Sequence, residues 1–309
     1  MKLSIVIPVL NEKESIKPLY EKLSEVLKKI DVDYEILFVD DGSTDGTDKE
    51  IKNIHDVRLK AIIFRRNFGK AAALAAGFKF SSGEIIITMD GDLQDDPEEI
   101  PNFLKKIEEG YDLVSGWKKE RKDPFSKRIA SYIFNKTVAR SSGLKIHDFN
   151  CGFKAYKRET AHDLDLYGEL YRFIPALVYK DGFKVTEIVV RHHPRSYGRS
   201  KYGSKRLIKG LFDFWTVSFL RKFAYRPMYF FGSLGILLFL IGFIISIYLT
   251  VDKIFYNQDL STRPLLLLGV LLIILGVQFI SIGFLGELQI SQNKRKRIYS
   301  IKEIAENKD

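Results

Sequence analysis

Apolar runs rich in β-branched residues alternate with segments of helical periodicity through the first 116 residues. Residues 3–9 form the first run and read as a strand buried on both faces. In residues 15–30, Ile16, Leu19, Tyr20, Leu23, Val26, Leu27 and Ile30 fall on one face of a helix. Residues 34–39, 59–64, 84–89 and 113–116 repeat the strand pattern. Between them, residues 44–54, 70–80 and 97–109 predict helices, the last with Glu98 and Glu99 in its first turn. This order predicts an α/β domain with a mainly parallel sheet. A further helix is expected over residues 130–145 and a late strand over 185–190.

The pattern changes past residue 203. Residues 204–228 mix basic side chains with Leu, Ile, Phe and Trp, as interfacial amphipathic helices do. Residues 229–251 and 265–285 are uncharged and apolar, and each exceeds the about 20 residues needed to cross a bilayer. The expected organisation is therefore a domain over 1–203, surface helices over 204–228, a transmembrane hairpin and a basic tail over 286–309. The overall mean hydropathy of −0.08 conceals this division. Gly232, Gly235, Gly242, Gly269, Gly276 and Gly283 would allow close helix packing, including packing with copies of the same chain.

Charge sharpens the picture. The net charge is +10. Lys and Arg number seven in residues 201–228 and six in 286–309, against two in the loop between the spans. The positive-inside bias puts the domain and the tail on the cytoplasmic side. No nucleic-acid-binding module is recognisable, so the basic charge is assigned to membrane and phosphate. Cys151 is the sole cysteine, which excludes an intrachain disulfide and a thiol-rich metal site. No GxGxxG or P-loop pattern occurs.

In a parallel sheet, ligands bind beyond the carboxyl ends of the strands. The segments there are NEKE, DDGSTDGT, RRNFGK and DGDLQDDP. Asp90 and Asp92 end a buried strand, and alternate residues of extended chain point the same way. Two such carboxylates suit Mg²⁺ or Mn²⁺, shared with substrate phosphates. Asp40 is placed to accept from a base N–H or a ribose hydroxyl. The opening of a calcium loop is present at Asp41, Ser43, Asp45 and Gly46, but Lys52 stands where the bidentate Glu is needed. His147, His192 and His193 lack a third histidine or a cysteine cluster nearby and are assigned to loops and strand ends. A basic stretch over residues 118–128 could meet a phosphate at a membrane surface, through Arg forks or general attraction.

Together SIVIPVLNE, VDDGSTDGT, RNFGKAAALAAG and MDGDLQDDPE resemble the inverting glycosyltransferases of family 2, whose fold is the Rossmann-like GT-A. Within it the resemblance is to the polyprenyl-phosphate branch: bactoprenol-phosphate glucosyltransferases, aminoarabinose transferases and dolichol-phosphate mannose synthases. It covers residues 3 to about 210, and the two spans match the bactoprenol subgroup. The resemblance implies that a nucleotide-sugar donates its sugar to polyprenyl (undecaprenyl) phosphate at the cytoplasmic membrane face, with inversion. It gives glucose from UDP-glucose first, with N-acetylglucosamine, galactose, mannose and a modified arabinose open. By resemblance, Pro8, Glu12, Asp40 and Lys70 line the nucleotide-sugar site, and Asp90, Asp92 and Gln94 hold the metal and the donor diphosphate. Asp148, in HDFNCGFKAY, matches an acidic catalytic residue. Arg195, Ser200 and Lys201 match a loop that closes on the donor phosphates, and Lys118, Arg121 and Arg128 match residues that receive the lipid phosphate. The acceptor oxygen already carries charge, so Asp148 is expected to orient groups more than to remove a proton. A processive polysaccharide synthase would carry a QxxRW motif and more spans, and neither is present. A non-catalytic membrane scaffold is the remaining rival.

Overall fold

The computed structural model describes residues 2–119, 125–166, 168–194, 227–256 and 264–292. The chain forms two compact units, Met1–Phe214 and Trp215–Asp309.

The first unit is built on a seven-stranded sheet. Its strands are β1 (Lys2–Val9), β2 (Asp33–Asp40), β3 (Leu59–Ile63), β4 (Ile85–Thr88), β5 (Leu113–Trp117), β6 (Lys154–Lys157) and β7 (Val185–Val189). Their spatial order is β3-β2-β1-β4-β6-β5-β7. Neighbours pair in parallel except at β6, which runs against both β4 and β5. The mainly parallel α/β sheet expected from the alternation is present, with this one inserted strand that the pattern did not predict. The helix expected over 44–54 is confined to α2 (Thr47–Lys52), because Ser43 and Asp45 are taken up in turn hydrogen bonds.

Both faces of the sheet are covered, which is why its central strands read as unbroken apolar runs. On one face Ile5, Ile7, Ile36 and Phe38 pack with Ile16, Leu19 and Leu23 of α1 (Lys13–Ile30) and Phe103 of α4 (Ile100–Glu108). On the other, Val6, Leu37 and Val39 meet Ala71, Leu74 and Phe78 of α3 (Lys70–Phe80). The helix expected over 130–145 appears as α5 (Phe125–Ser142), followed by α6 (Arg158–His162) and α7 (Ile174–Lys180).

The sheet edge opposite the strand ends is fastened by Glu35, which is 3% exposed. Its carboxylate accepts from the Ser4 hydroxyl (2.6 Å) and the Ser82 N–H (2.5 Å), and pairs with Lys60 (2.6 Å). Burial works to raise this carboxyl, but those partners outweigh it and hold it at about 2. A depressed carboxyl stabilises the fold above its unfolded value of 4.5 and ceases to do so as pH falls toward 2. Glu35→Gln is therefore expected to cost about 2–3 kcal/mol near neutral pH, and nothing near pH 2. Melting temperatures of the full chain in detergent from pH 7 to 3 check this; parallel curves for the two proteins would refute it.

The second unit contains α8 (Pro227–Tyr256) and α9 (Pro264–Gln292), two apolar helices longer than expected at both ends. A Cβ on Gly235 would stand 2.7 Å from the Gly276 carbonyl, and one on Gly242 would stand 2.5 Å from that of Gly269. Both pairs are two heptads' corresponding positions in an antiparallel hairpin, spaced for left-handed crossing. These glycines are thus used within the chain, between its own two helices. Gly276→Leu would force the backbones apart, so the hairpin is expected to become protease-sensitive in detergent, losing about 1–3 kcal/mol. A cleavage pattern like that of the unaltered chain would contradict the packing argument.

Candidate active site

Because β6 opposes its neighbours, the segment leading into it lies at the edge where the parallel strands deliver the segments that follow them. The segment after β4 thereby meets residues 147–153, with Asp90 against Gly152.

The first two loops hold each other. Asn11, at φ 50°, accepts from the Thr44 N–H (2.8 Å) and donates its own N–H to Ser43 (2.8 Å). The Glu12 N–H donates to Thr47. Asp40 is 1% exposed. One of its oxygens, Oδ1, caps the turn at the Ser43 N–H (3.0 Å), while buried Oδ2 has no hydrogen-bond partner among the described residues. Such an acceptor is costly unless a donor reaches it. Asp41, which the sequence offered only as a calcium-loop position, accepts from the N–H groups of Phe68 (2.7 Å) and Gly69 (3.0 Å). Gly42 packs so closely there that a Cβ would stand 2.4 Å from the Arg66 backbone. These contacts fix the start of α3, whose first residue is Lys70.

Lys70 Nζ lies 2.5 Å from Asp90 Oδ1 in the wall of a small open cleft, which also includes Pro8, Gly152, Lys154 and Tyr171. Burial would raise the Asp90 carboxyl, but Lys70, Lys118 and Lys154 together outweigh it and hold it at about 2. The carboxylate is thus ionised throughout the physiological range. It lies flat against Gly152, where a Cβ would come within 2.6 Å of both oxygens. Asp92 Oδ1 accepts the Gln94 N–H (3.2 Å). Among the described residues no three His, Cys, Asp or Glu side chains converge to complete a metal site. Two carboxylates at a strand end, one of them cradled by a glycine and facing a cation, fit a hard divalent ion that takes its other ligands from phosphate and water.

Asp95, 1% exposed, is a residue that the motif reading passed over. It pairs with Lys118 (2.8 Å) and accepts the Asp90 N–H (3.1 Å), so it fixes the backbone of the acidic loop. Burial works against the Lys118 ammonium, but Asp95 outweighs it and keeps it protonated. The expected lipid-phosphate residue Lys118 is therefore turned into the domain, 11% exposed at its side chain. Lys154, 2% exposed, donates to the Cys151 carbonyl, and burial lowers its affinity for a proton. Burial likewise pushes the Cys151 thiol up to about 12, so it is inert as a nucleophile.

Asp148 is 1% exposed and its Oδ1 accepts the Asn150 N–H (3.2 Å). The cleft wall is formed by Asn150, Cys151 and Gly152 beyond it. Gln94 donates to the His193 carbonyl (3.2 Å), and His193 pairs with Asp96 (3.0 Å). Arg191 adds ion pairs to Glu98 (3.1 Å) and Glu99 (2.7 Å). The histidines assigned to a plain strand end thus latch residues 191–193 onto the acidic loop. Arg121, Arg195, Ser200 and Lys201 lie outside the described residues, as do the surface helices over 204–226 and the side chain of Arg128.

The sequence matches the glycosyl transferase family 2 profile over residues 4–165. Dodecaprenyl-phosphate galacturonate synthase of Rhizobium johnstonii is 38% identical over 93% of this chain and 87% of its own. Undecaprenyl-phosphate 4-deoxy-4-formamido-L-arabinose transferase of Proteus mirabilis is 34% identical, with the same shares of each chain covered. Glucosyl-3-phosphoglycerate synthase from Mycobacterium tuberculosis, solved in complex with Mn²⁺ and UDP-glucose, superposes with a TM-score of 0.54. That likeness covers 70% of this chain and 78% of the other at 20% identity, and identifies the GT-A fold. With the motifs of residues 4–165 meeting at one sheet edge, the chain belongs to glycosyl transferase family 2 and is a glycosyltransferase.

Proposed function

We propose that this enzyme transfers a sugar from a nucleoside diphosphate donor onto a polyprenyl phosphate, with inversion at the anomeric carbon. The observation that carries this reading is the Lys70 ammonium on the Asp90 carboxylate, at the sheet edge where buried Asp40 Oδ2 has no hydrogen-bond partner among the described residues. Asp40, with Pro8 and Glu12, serves the nucleoside, and Lys70 the diphosphate. Asp90, Asp92 and Gln94 hold Mg²⁺ or Mn²⁺, which when bound neutralises charge on the departing diphosphate. An oxygen of the acceptor phosphate forms the new bond to the anomeric carbon. The bond to the donor diphosphate breaks, and its electron pair leaves with the nucleoside diphosphate. No proton need be taken up, so Asp148 acts by holding the wall of residues 150–152. Arg195, Ser200 and Lys201 approach the donor phosphates. Since Lys118 is committed to Asp95, the lipid phosphate falls to Arg121 and Arg128.

The expectation of glucose draws no support from the two polyprenyl-phosphate relatives, whose names carry galacturonate and 4-deoxy-4-formamido-L-arabinose. We place galacturonate first because that relative shares the higher identity. In this reading the apolar hairpin anchors the enzyme in the bilayer that holds its acceptor, and the positive-inside bias of its basic flanks supports a cytoplasmic domain.

Purified chain in detergent, given undecaprenyl phosphate, Mn²⁺ and labelled UDP-galacturonate, UDP-4-deoxy-4-formamido-L-arabinose or UDP-glucose in turn, tests this. Label is expected in the organic phase from one donor, abolished by EDTA and by Asp92→Ala. Absence of both lipid label and donor binding would leave the scaffold reading standing.

A further inference from the structure

One side of the Asp90 carboxylate is closed to a cation by backbone. Gly152 lies against both of its oxygens, closely enough that a Cβ there would come within 2.6 Å of each. Another side faces the cleft, and the Lys70 ammonium already stands there, 2.5 Å from Oδ1. A divalent ion bound to that carboxylate and an ammonium on the same oxygen would be neighbours of like charge, and their repulsion in a half-buried site is severe. One must give way. Lys70 has somewhere to go. Its side chain is a quarter exposed, it stands at the first turn of α3, and the face of the Tyr171 ring lies 5.5 Å from Nζ.

We propose that Lys70 is an internal counterion, which occupies the divalent cation's position on Asp90 while the donor is absent. The incoming diphosphate attracts the ammonium away, so metal and donor enter together and each raises the affinity for the other. An enzyme built this way does not carry a bare metal exposed to stray phosphates. The proposal rests on the reading of Asp90 as a metal ligand.

Two measurements on the full chain in detergent test it. Mn²⁺ titrations followed by electron paramagnetic resonance, with no nucleotide present, should show Lys70→Met binding the ion about tenfold more tightly than the unaltered chain. Reductive methylation of the unaltered chain, read by peptide mass spectrometry, should label Lys70 about tenfold faster once Mg²⁺ is saturating, because the ion displaces the ammonium from its partner. The second measurement needs no variant, and it distinguishes displacement from a general effect of charge. If Mg²⁺ leaves the labelling rate unchanged, or Lys70→Met binds Mn²⁺ no more tightly, the counterion proposal falls. Asp90→Asn placed in the Lys70→Met chain is the control for the underlying reading: should the double variant bind Mn²⁺ as well as Lys70→Met alone, Asp90 is not a ligand and the site assignment itself fails.

Discussion

Asp90→Asn is expected to lower the rate of sugar transfer by about three decades or more, the scale of losing metal stabilisation of a leaving group. The argument turns on charge. Asp90 is the carboxylate toward which Lys70, Lys118 and Lys154 direct their fields. An amide in its place keeps the shape and removes a charge that helps to balance them, Lys70 above all. The divalent ion then meets a site with one carboxylate, Asp92, and a surplus of cations. The donor diphosphate meets the same surplus and is still attracted. The loss should therefore fall on kcat, with donor affinity altered by less than about tenfold. Rates with varied donor, alongside UDP titrations of both proteins, separate the two. A variant that keeps a tenth of the rate would show that Asp90 holds no charge-bearing role in the reaction.

Lys118→Met should unfold the protein more readily than any surface substitution, by about 3–5 kcal/mol, because it leaves the Asp95 carboxylate buried without its partner. Asp95 is 0% exposed at its side chain, and it also holds the Asp90 N–H. The two roles form one network, so the energies will not add. Lys118→Met combined with Asp95→Asn should recover most of the lost melting temperature while remaining inactive, the acidic loop having lost its anchor. This separates the buried pair from the role suggested by resemblance. A lysine that merely received the lipid phosphate would, when removed, raise the acceptor KM and leave the melt untouched.

The contrast shows what a sequence displays and what it hides. Strands β1, β2 and β4 were legible because burial on both faces writes itself as unbroken apolar runs, and the chemistry of Asp40, Asp90 and Asp92 followed from their places at the ends of those runs. Strand β6 was not legible. It is KAYK, four residues long, with a lysine at each end. A lysine that is 2% exposed defeats any reading that equates charge with solvent. The pairing of Lys118 with Asp95 was hidden for a related reason. In a basic run the side chains look alike, yet the first residue past β5 turns inward to Asp95. Asp41 stands out in the sequence only as a position of an incomplete calcium loop and Asp95 only as part of an acidic run, whereas each spends its carboxylate on backbone N–H groups that shape the site. The glycines of the spans were legible as close-packing residues, but their partner was not, since spacing within one helix does not say which second helix it meets.

The inserted strand also sets an order of events during synthesis. β4 is complete at residue 88, and its outer edge pairs with residues 154–157. Until some seventy further residues have left the ribosome, that edge shows open backbone groups in an apolar strand, a hazard for pairing with other nascent chains. β5 joins β4 only through β6, so it stands apart from the first four strands until β6 arrives, and β7 adds to β5 afterwards. The same arrival brings Gly152 and Lys154 to Asp90. A nascent chain without β6 therefore lacks Gly152 and Lys154 beside Asp90, and covering the β4 edge and assembling this wall of the site are a single late step.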